Sequence, residues 1–273
     1  MRARLVALAA VSASLVAVAA PCFAGTDIKI LILREHGVGS AAQIQPHIDE
    51  FVAIVQKKLG WGTAKGSYFS DRKTAESFID SDKPQYGMLS LSAYLALNKS
   101  RNLEVLGQVS ASRLGGHQYF VISKTAKDLS GCKGQTLATD LGDDTKFIDK
   151  VVSGGEFKLA DFTVDATKRP LEGIHKVIKD EAKCALIDDA QLAELSGISG
   201  GKDVKQVWTS ATLPSMPLVA LPSASASDKA ALKAMLSSIC QDDGKKACSA
   251  ADIQSLNPAS NDDYKAVRVA YDK

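Results

Sequence analysis

Short apolar runs alternate with segments of helical period along most of this chain, and no other feature restricts its fold as much. Residues 28–33 read Ile-Lys-Ile-Leu-Ile-Leu, a strand-length run bounded by polar residues. Ser40 with Gln43 forms a capping-box pattern. Beyond it Ile44, Ile48, Phe51, Val52, Val55 and Leu59 recur at helical spacing until Gly60. A strand near 67–69, a helix over 71–79, a strand over 86–91, a short helix around Tyr94 and Leu97, and a strand over 103–109 follow. Strands interleaved with helices pair in parallel and are covered on both faces.

The rhythm changes at Gly115-Gly116, where 119–122 is a strand directly after a strand. A second alternating unit then runs through a strand at 137–139, a helix over 145–152 and a strand at 162–164. Pro170 stands as the first residue of a helix to Lys179. A strand at 185–187, a helix after Asp188-Asp189 and a strand at 204–208 complete this unit. The chain passes Leu213-Pro214-Ser215-Met216-Pro217 into an apolar run at 218–221, and helices over 228–239 and 262–269 close it. The expected fold class is therefore α/β, in two lobes. Lobe 1 is 25–114 with 213–273, and lobe 2 is 115–212. Each lobe is a mixed, mostly parallel sheet flanked by helices, and two hinge crossings join them. A cleft between such lobes is the usual seat of a ligand.

The first segment reads as an address. Arg2 and Arg4 precede an uncharged run of Leu, Val, Ala and Ser over 5–20, and Cys22-Phe23-Ala24 places small residues at −3 and −1 of a cut before Gly25. This is the pattern of a secretory signal peptide, 1–24. A membrane anchor is the rival, but the run is short of the roughly 20 apolar residues of a span. A lipoprotein modified at Cys22 is a second rival, which Pro21 opposes. Hydrophobic residues at 45% and charged residues at 23% are ordinary globular values. Without Arg2 and Arg4 the chain carries 31 basic and 31 acidic residues. It has no whole-molecule field to draw in nucleic acid or an anionic bilayer. Neither nucleic-acid binding nor membrane insertion after signal cleavage is expected, and nothing in the pattern calls for an oligomer.

Export changes how the cysteines read. Cys132, Cys184, Cys240 and Cys248 form an even set in an oxidising compartment, which suggests two disulfides out of three possible pairings. Cys240 and Cys248 close a short loop. Cys132 and Cys184 each precede an expected strand, and adjacent parallel strands would bring them together. No Cys-x-x-Cys occurs and no His stands at ligand spacing from a Cys, so no metal site is expected. No Gly-x-Ser-x-Gly elbow, His-Glu-x-x-His or Walker loop is present, so neither catalysis nor a cofactor is expected.

Three stretches carry a resemblance. Leu256-Asn257-Pro258-Ala259-Ser260-Asn261-Asp262-Asp263-Tyr264-Lys265-Ala266-Val267-Arg268 is similar to a family's closing segment. Met216-Pro217-Leu218-Val219-Ala220 looks like its return crossing, and Tyr86-Gly87-Met88-Leu89-Ser90-Leu91-Ser92-Ala93-Tyr94 like its cleft-facing strand-to-helix turn. In order and spacing the chain resembles the solute-binding proteins of phosphate/phosphite/phosphonate ABC transporters, the phosphonate-binding-protein-like branch of the type 2 periplasmic binding fold. The resemblance implies a periplasmic protein that closes two lobes over a small-molecule ligand and delivers it to an ABC transporter permease.

The family holds its anion at a Ser/Thr-rich turn opening a helix of the second lobe, where backbone N–H groups and hydroxyls face the ligand. Here the turn reads Asp140-Leu141-Gly142-Asp143-Asp144-Thr145-Lys146-Phe147, and Thr145 alone is a family-like hydroxyl. Asp143 or Asp144 would cap the helix and occupy the N–H groups a phosphonate needs. Each would also repel an oxyanion, by about 1 kcal/mol at about 4 Å in water and more in a cleft. Fold and transport role therefore carry over, and phosphonate specificity does not. Ser90, Ser92 and Tyr94 match the first lobe's cleft turn. A plain N-cap competes for the serines and a core aromatic for Tyr94. Asp188, with Asp189, stands where the family places an acid that can meet a cationic group, against a helix cap. His36 follows the first strand. His117 reads as a crossing residue, His47 and His175 as helix-surface residues. Arg113, Lys146, Lys168 and Arg169 lie in loops, either as solvated charges or as a relocated anion site. The alternative reading is a periplasmic sensor or carrier of a non-phosphonate ligand, apolar ones included, without a dedicated importer.

Overall fold

The computed structural model describes residues 27–36, 41–110 and 115–273. The signal segment with Cys22, the Ser40 cap and Arg113 lie outside the described residues. The chain opens with β1 (Asp27–Leu33), α1 (Ala41–Leu59), β2 (Thr63–Phe69), α2 (Arg72–Asp82), β3 (Tyr86–Leu89), α3 (Leu91–Arg101) and β4 (Glu104–Ser110). It continues into β5 (Tyr119–Ser123), β6 (Thr136–Thr139), α4 (Thr145–Phe147), β7 (Thr163–Ala166), α5 (Glu172–Ile178), β8 (Cys184–Asp188), α6 (Asp189–Glu194) and β9 (Lys205–Thr209). It ends with β10 (Met216–Ala220), α7 (Ala226–Ile239), α8 (Gly244–Ala250), β11 (Ser255–Pro258) and α9 (Lys265–Asp272).

Two sheets result. The first has the order β11-β4-β10-β3-β1-β2 and the second β7-β6-β8-β5-β9. β1 pairs in parallel with β2 and β3, while β10 and β11 run antiparallel to β4. In the second sheet β6 is parallel to β7 and β8, and β5 is antiparallel to β8 and β9. The mixed α/β lobes of the sequence reading are present. Two elements lacked a signal. β11 is four residues at a sheet edge ending in Pro258, where proline is tolerated, and its pairing partner β4 is remote in sequence. α8 is seven residues long with no apolar repeat.

β1 explains why the first sheet is covered twice. Side chains alternate across a strand, so Ile28, Ile30 and Ile32 face one side and Leu31 and Leu33 the other, all buried. The isoleucines meet Phe51, Val52 and Val55 of α1 and Leu232, Leu236 and Ile239 of α7. The leucines join Tyr94, Val121, Leu137 and Phe147 in a core that runs through both lobes. Gly107 lets α7 and β11 close on β4: a Cβ there would lie 2.5 Å from Leu236 Cδ1 and 2.8 Å from the Asn257 oxygen.

The two crossings between lobes are bonded to each other. Leu213 N–H donates to the His117 carbonyl and Ser210 N–H to the Tyr119 carbonyl, both at 2.8 Å. Tyr264, fully buried, donates its hydroxyl to the Ser215 carbonyl at 2.8 Å. The C-terminal helix then reaches the second lobe, where Lys146 Nζ sits 4.1 Å over the Tyr271 ring.

Both disulfides form, Cys132–Cys184 and Cys240–Cys248, closing intervals of 52 and 8 residues. The first joins β8 to the turn before its parallel neighbour β6. Loop-closure entropy makes the longer bridge worth about 4 kcal/mol and the shorter about 2.5 kcal/mol. We expect an intact mass without free thiols, and denaturant unfolding in which Cys132→Ser/Cys184→Ser loses more stability than Cys240→Ser/Cys248→Ser. Equal losses, or four alkylatable thiols, would contradict this.

Candidate solute cleft

The cleft is built where strands end. Loops after β1 and β2, the turn after β3, and the turns after β6 and β8 all meet at one place, the carboxyl ends of parallel strands. The β1 ladder runs on into its loop: Arg34 N–H donates to the Phe69 carbonyl at 3.0 Å, and Ser90 N–H to the Leu33 carbonyl at 2.8 Å. The positions of Glu35 and Ser90 thus follow from strand pairing.

Glu35 stands at the centre. Arg72 donates to both of its oxygens, Nε to Oε1 and Nη2 to Oε2, each at 2.8 Å. Ser92 Oγ donates to Oε2 at 3.0 Å and Ser90 Oγ at 3.2 Å. Ser90 also caps α3, accepting from Ala93 N–H at 3.4 Å. Arg72 Nη2 crosses the cleft to Asp144 Oδ2 at 2.6 Å. Both carboxylates are buried, at 9% and 8% side-chain exposure, and the two anions hold the guanidinium more basic than usual, against the burial that would lower it.

This corrects one expectation. Asp144 occupies the N-cap position of α4, but its side chain makes no cap bond. A buried carboxylate gains more from a guanidinium than from a backbone N–H. Asp143 is exposed on the mouth of the cleft, and Thr145, also exposed, donates to the Gly142 carbonyl at 3.4 Å. Tyr94 is in the core, fully buried edge-on against Tyr264, and lines neither part of the cleft.

A second bridge lies beside the first. His36 Nδ1 is 3.5 Å from Asp140 Oδ2, and Gln191 Nε2 donates to both Asp140 oxygens at 3.1 Å. Gln191 and Asp188 form a reciprocal capping box at the start of α6. Asp189 accepts from the backbone N–H of His117 at 3.0 Å and Gln118 at 3.3 Å, which pins the first crossing to α6. Gly115, at φ +64°, leaves the space that Asp188 fills: a Cβ there would lie 2.0 Å from Asp188 Oδ2.

Burial sets the proton affinities here. It pushes the Asp188 carboxyl up to about 7, with Asp189 and Asp140 adding to the rise and the Gln191 N–H and His36 opposing it. Burial alone would lower His36, but the bond and charge of Asp140, with Glu35 and Asp144 nearby, raise it on balance. Tyr119, buried among Asp188, Asp189, Asp144 and Asp140, is held a neutral phenol.

Between the lobes a small, partly open cavity of about 40 Å³ is lined by Glu35, His36, Ser90, Ser92, Tyr119 and Asp188, among others. That is far below the roughly 300–1,000 Å³ of small-molecule sites. It widens into an open groove of about 690 Å³, where Asp140, Asp143 and Asp144 face Lys73, Lys168 and Arg169. The Arg72–Asp144 and His36–Asp140 bridges stand where the cavity meets this groove. His117 lines the cavity with Nδ1 3.3 Å from the Leu213 oxygen. Among the described residues no group of three His, Cys, Asp or Glu side chains is placed to share a metal ion.

Of the residues expected from the sequence, Asp143, Asp144, Asp188, His36, Ser90 and Ser92 line this cleft, and Thr145 and Tyr94 do not. The sequence reading does not name Glu35, Arg72, Tyr119, Asp140 or Gln191 as site residues. Arg72 had a usable signal: a cation at the first position of a helix opposes the helix field and needs an anion from elsewhere.

Among the described residues, Asp144→Ala leaves the Arg72 guanidinium with the Glu35 carboxylate. We expect a loss of about 1.5–3 kcal/mol, the value of a hydrogen bond to a charged group, and a larger radius of gyration in small-angle scattering. An unchanged profile would show that this bridge does not hold the lobes together. Asp188 and His36 both bind protons more tightly folded than unfolded. Asp188 contributes stability that is full below about pH 4 and lost as pH climbs through about 7. His36 contributes below its ordinary value near 6.5 and loses it as pH rises through its higher folded value. Both slopes run downward, so the urea midpoint should fall from pH 5 to pH 8. Asp188→Asn should flatten that fall, and a midpoint rising over this range would refute the assignment.

The chain matches, over residues 38–264, the family described as ABC transporter, phosphonate, periplasmic substrate-binding protein. No match is found among curated proteins. A binding-protein component of an ABC phosphonate transporter from Pseudomonas aeruginosa is 15% identical, with 90% of this chain and 85% of that chain covered at a TM-score of 0.69. A Xanthomonas citri protein bound to ATP is 12% identical, covering 91% and 98% at 0.71. A Prochlorococcus marinus protein in complex with methylphosphonate is 9% identical, covering 89% and 96% at 0.68. At these identities the structures establish the fold, the type 2 periplasmic binding architecture. The family match spans most of the chain, and the protein belongs to the periplasmic substrate-binding proteins of phosphonate-type ABC transporters.

Proposed function

We infer that this chain is the solute receptor of an ABC importer, and that its guest meets the cleft with hydrogen-bond donors or positive charge. Glu35 carries this reading. The hydroxyls of Ser90 and Ser92, on the turn that by resemblance faces the cleft, are satisfied by the chain's own carboxylate. Asp140, Asp143 and Asp144 continue the acidic side into the groove, opposite Lys73, Lys168 and Arg169. A second anion would enter against these charges with Arg72 already shared between two carboxylates. The same polarity disfavours an apolar guest.

The signal segment 1–24 and two disulfides fit a periplasmic chain that acts as a monomer and hands its guest to a permease. The lobes divide as 25–114 with 213–273, and 115–212, and hinge on the bonded crossings. The protein binds and releases without turnover.

The test is a melting-temperature screen of the protein lacking 1–24. A cognate solute at 100 times its dissociation constant adds about 2.7 kcal/mol. Diamines, arginine and quaternary ammonium compounds should include stabilising members. Phosphate and methylphosphonate should leave the midpoint unchanged. Stabilisation by micromolar methylphosphonate would overturn the reading.

A further inference from the structure

We propose that Glu35 is a tethered anion seated in the chain's own oxyanion subsite, and that it sets the specificity of the cleft. The proposal rests on the reading of the cleft as one that refuses simple phosphonates. Four donor hydrogens from separate segments converge on this one side chain. Two come from the Arg72 fork at the start of α2, and two from the Ser90 and Ser92 hydroxyls at the start of α3. Three of these contacts fall on Oε2 alone, from Arg72 Nη2, Ser90 and Ser92.

That is more than a structural carboxylate requires. Arg72 by itself satisfies Glu35 bidentately. Yet Ser92, buried at 5% exposure, aims its hydroxyl at the same oxygen. Ser90 does so from the N-cap of an 11-residue helix, whose N-terminal field favours negative charge. A planar guanidinium fork, two hydroxyls and a helix start are the donor set of a tetrahedral oxyanion site. Glu35 reaches it from the loop after β1, which strand pairing fixes on both sides, through Arg34 to Phe69 and Leu33 to Ser90. The carboxylate is therefore held against its donors, and a free anion must compete with a group at an effective concentration in the millimolar range or higher. Through Arg72 the same carboxylate is coupled to Asp144 of the other lobe.

The test is Glu35→Ala, titrated calorimetrically with methylphosphonate, methanesulfonate and inorganic phosphate beside the parent protein. The parent should show no heat of binding at millimolar anion. Glu35→Ala should bind methylphosphonate at least about 100-fold more tightly. Adding Ser92→Ala or Arg72→Met to it should abolish that gain. Glu35→Gln, which keeps the side-chain volume in place, should gain little. A folded Glu35→Ala that binds none of the three anions overturns the proposal and leaves the cleft reading standing. Tight methylphosphonate binding by the parent overturns the cleft reading itself. If Glu35→Ala unfolds, acetate or methylphosphonate at millimolar concentration should restore its cooperative transition by filling the abandoned subsite. Failure of both anions to do so counts equally against the proposal.

Discussion

One guanidinium ties this molecule together. Arg72 takes Glu35 of its own lobe with both arms of its fork and reaches Asp144 of the other lobe with one of them. Three charged groups in a partly buried cleft are costly to desolvate, and each has to be matched by another. Glu35 is matched further by two hydroxyls, and the Asp144 carboxylate is matched by Arg72. The loops at both strand ends are thereby committed to one arrangement. The cavity between them is small, about 40 Å³, and Glu35 is among the residues that line it.

The hinge depends on a second set of carboxylates with a different task. Asp189 accepts two backbone N–H groups of the first crossing, and Asp188 caps α6 while pressing on Gly115. These acids fix how the second lobe leaves the first. Burial makes Asp188 bind its proton near neutrality, so the hinge carries a charge that varies within the pH range of ordinary experiments. His36 and Asp140, linked through Gln191 to the same helix start, join that variable charge to the interlobe bridges.

Family membership gives the fold of the cleft, and its own side chains give its chemistry. The start of α3 presents two hydroxyls to the cleft, and Glu35 of the loop after β1 accepts from both. Ser90 and Ser92 keep the positions that the resemblance implies, and their partner is a residue of this chain. Every strand around Glu35 conforms to the family fold, and the proposed chemistry of the guest turns on this one side chain.

Local patterns were enough for the architecture, because strand and helix periods are properties of neighbouring residues: the alternation around β1, α1, β3 and α3, the paired cysteines and the acidic turn at 140–145 could all be read in order. β11 and α8 could not, since one is held by pairing with a distant strand and the other by packing of a short segment with no repeat of its own. Tyr94 looked like a cleft residue and is a core residue, because its burial is set by Tyr264, 170 positions away. Asp144 looked like a helix cap, and only the approach of the other lobe shows that Arg72 outbids a backbone N–H for it. Which residue types stand at the ends of the strands was written in the chain. Which of them satisfy one another was decided by the tertiary structure, since charges 37 and 72 positions apart from Arg72 choose partners only once the strands bring them within a few ångströms.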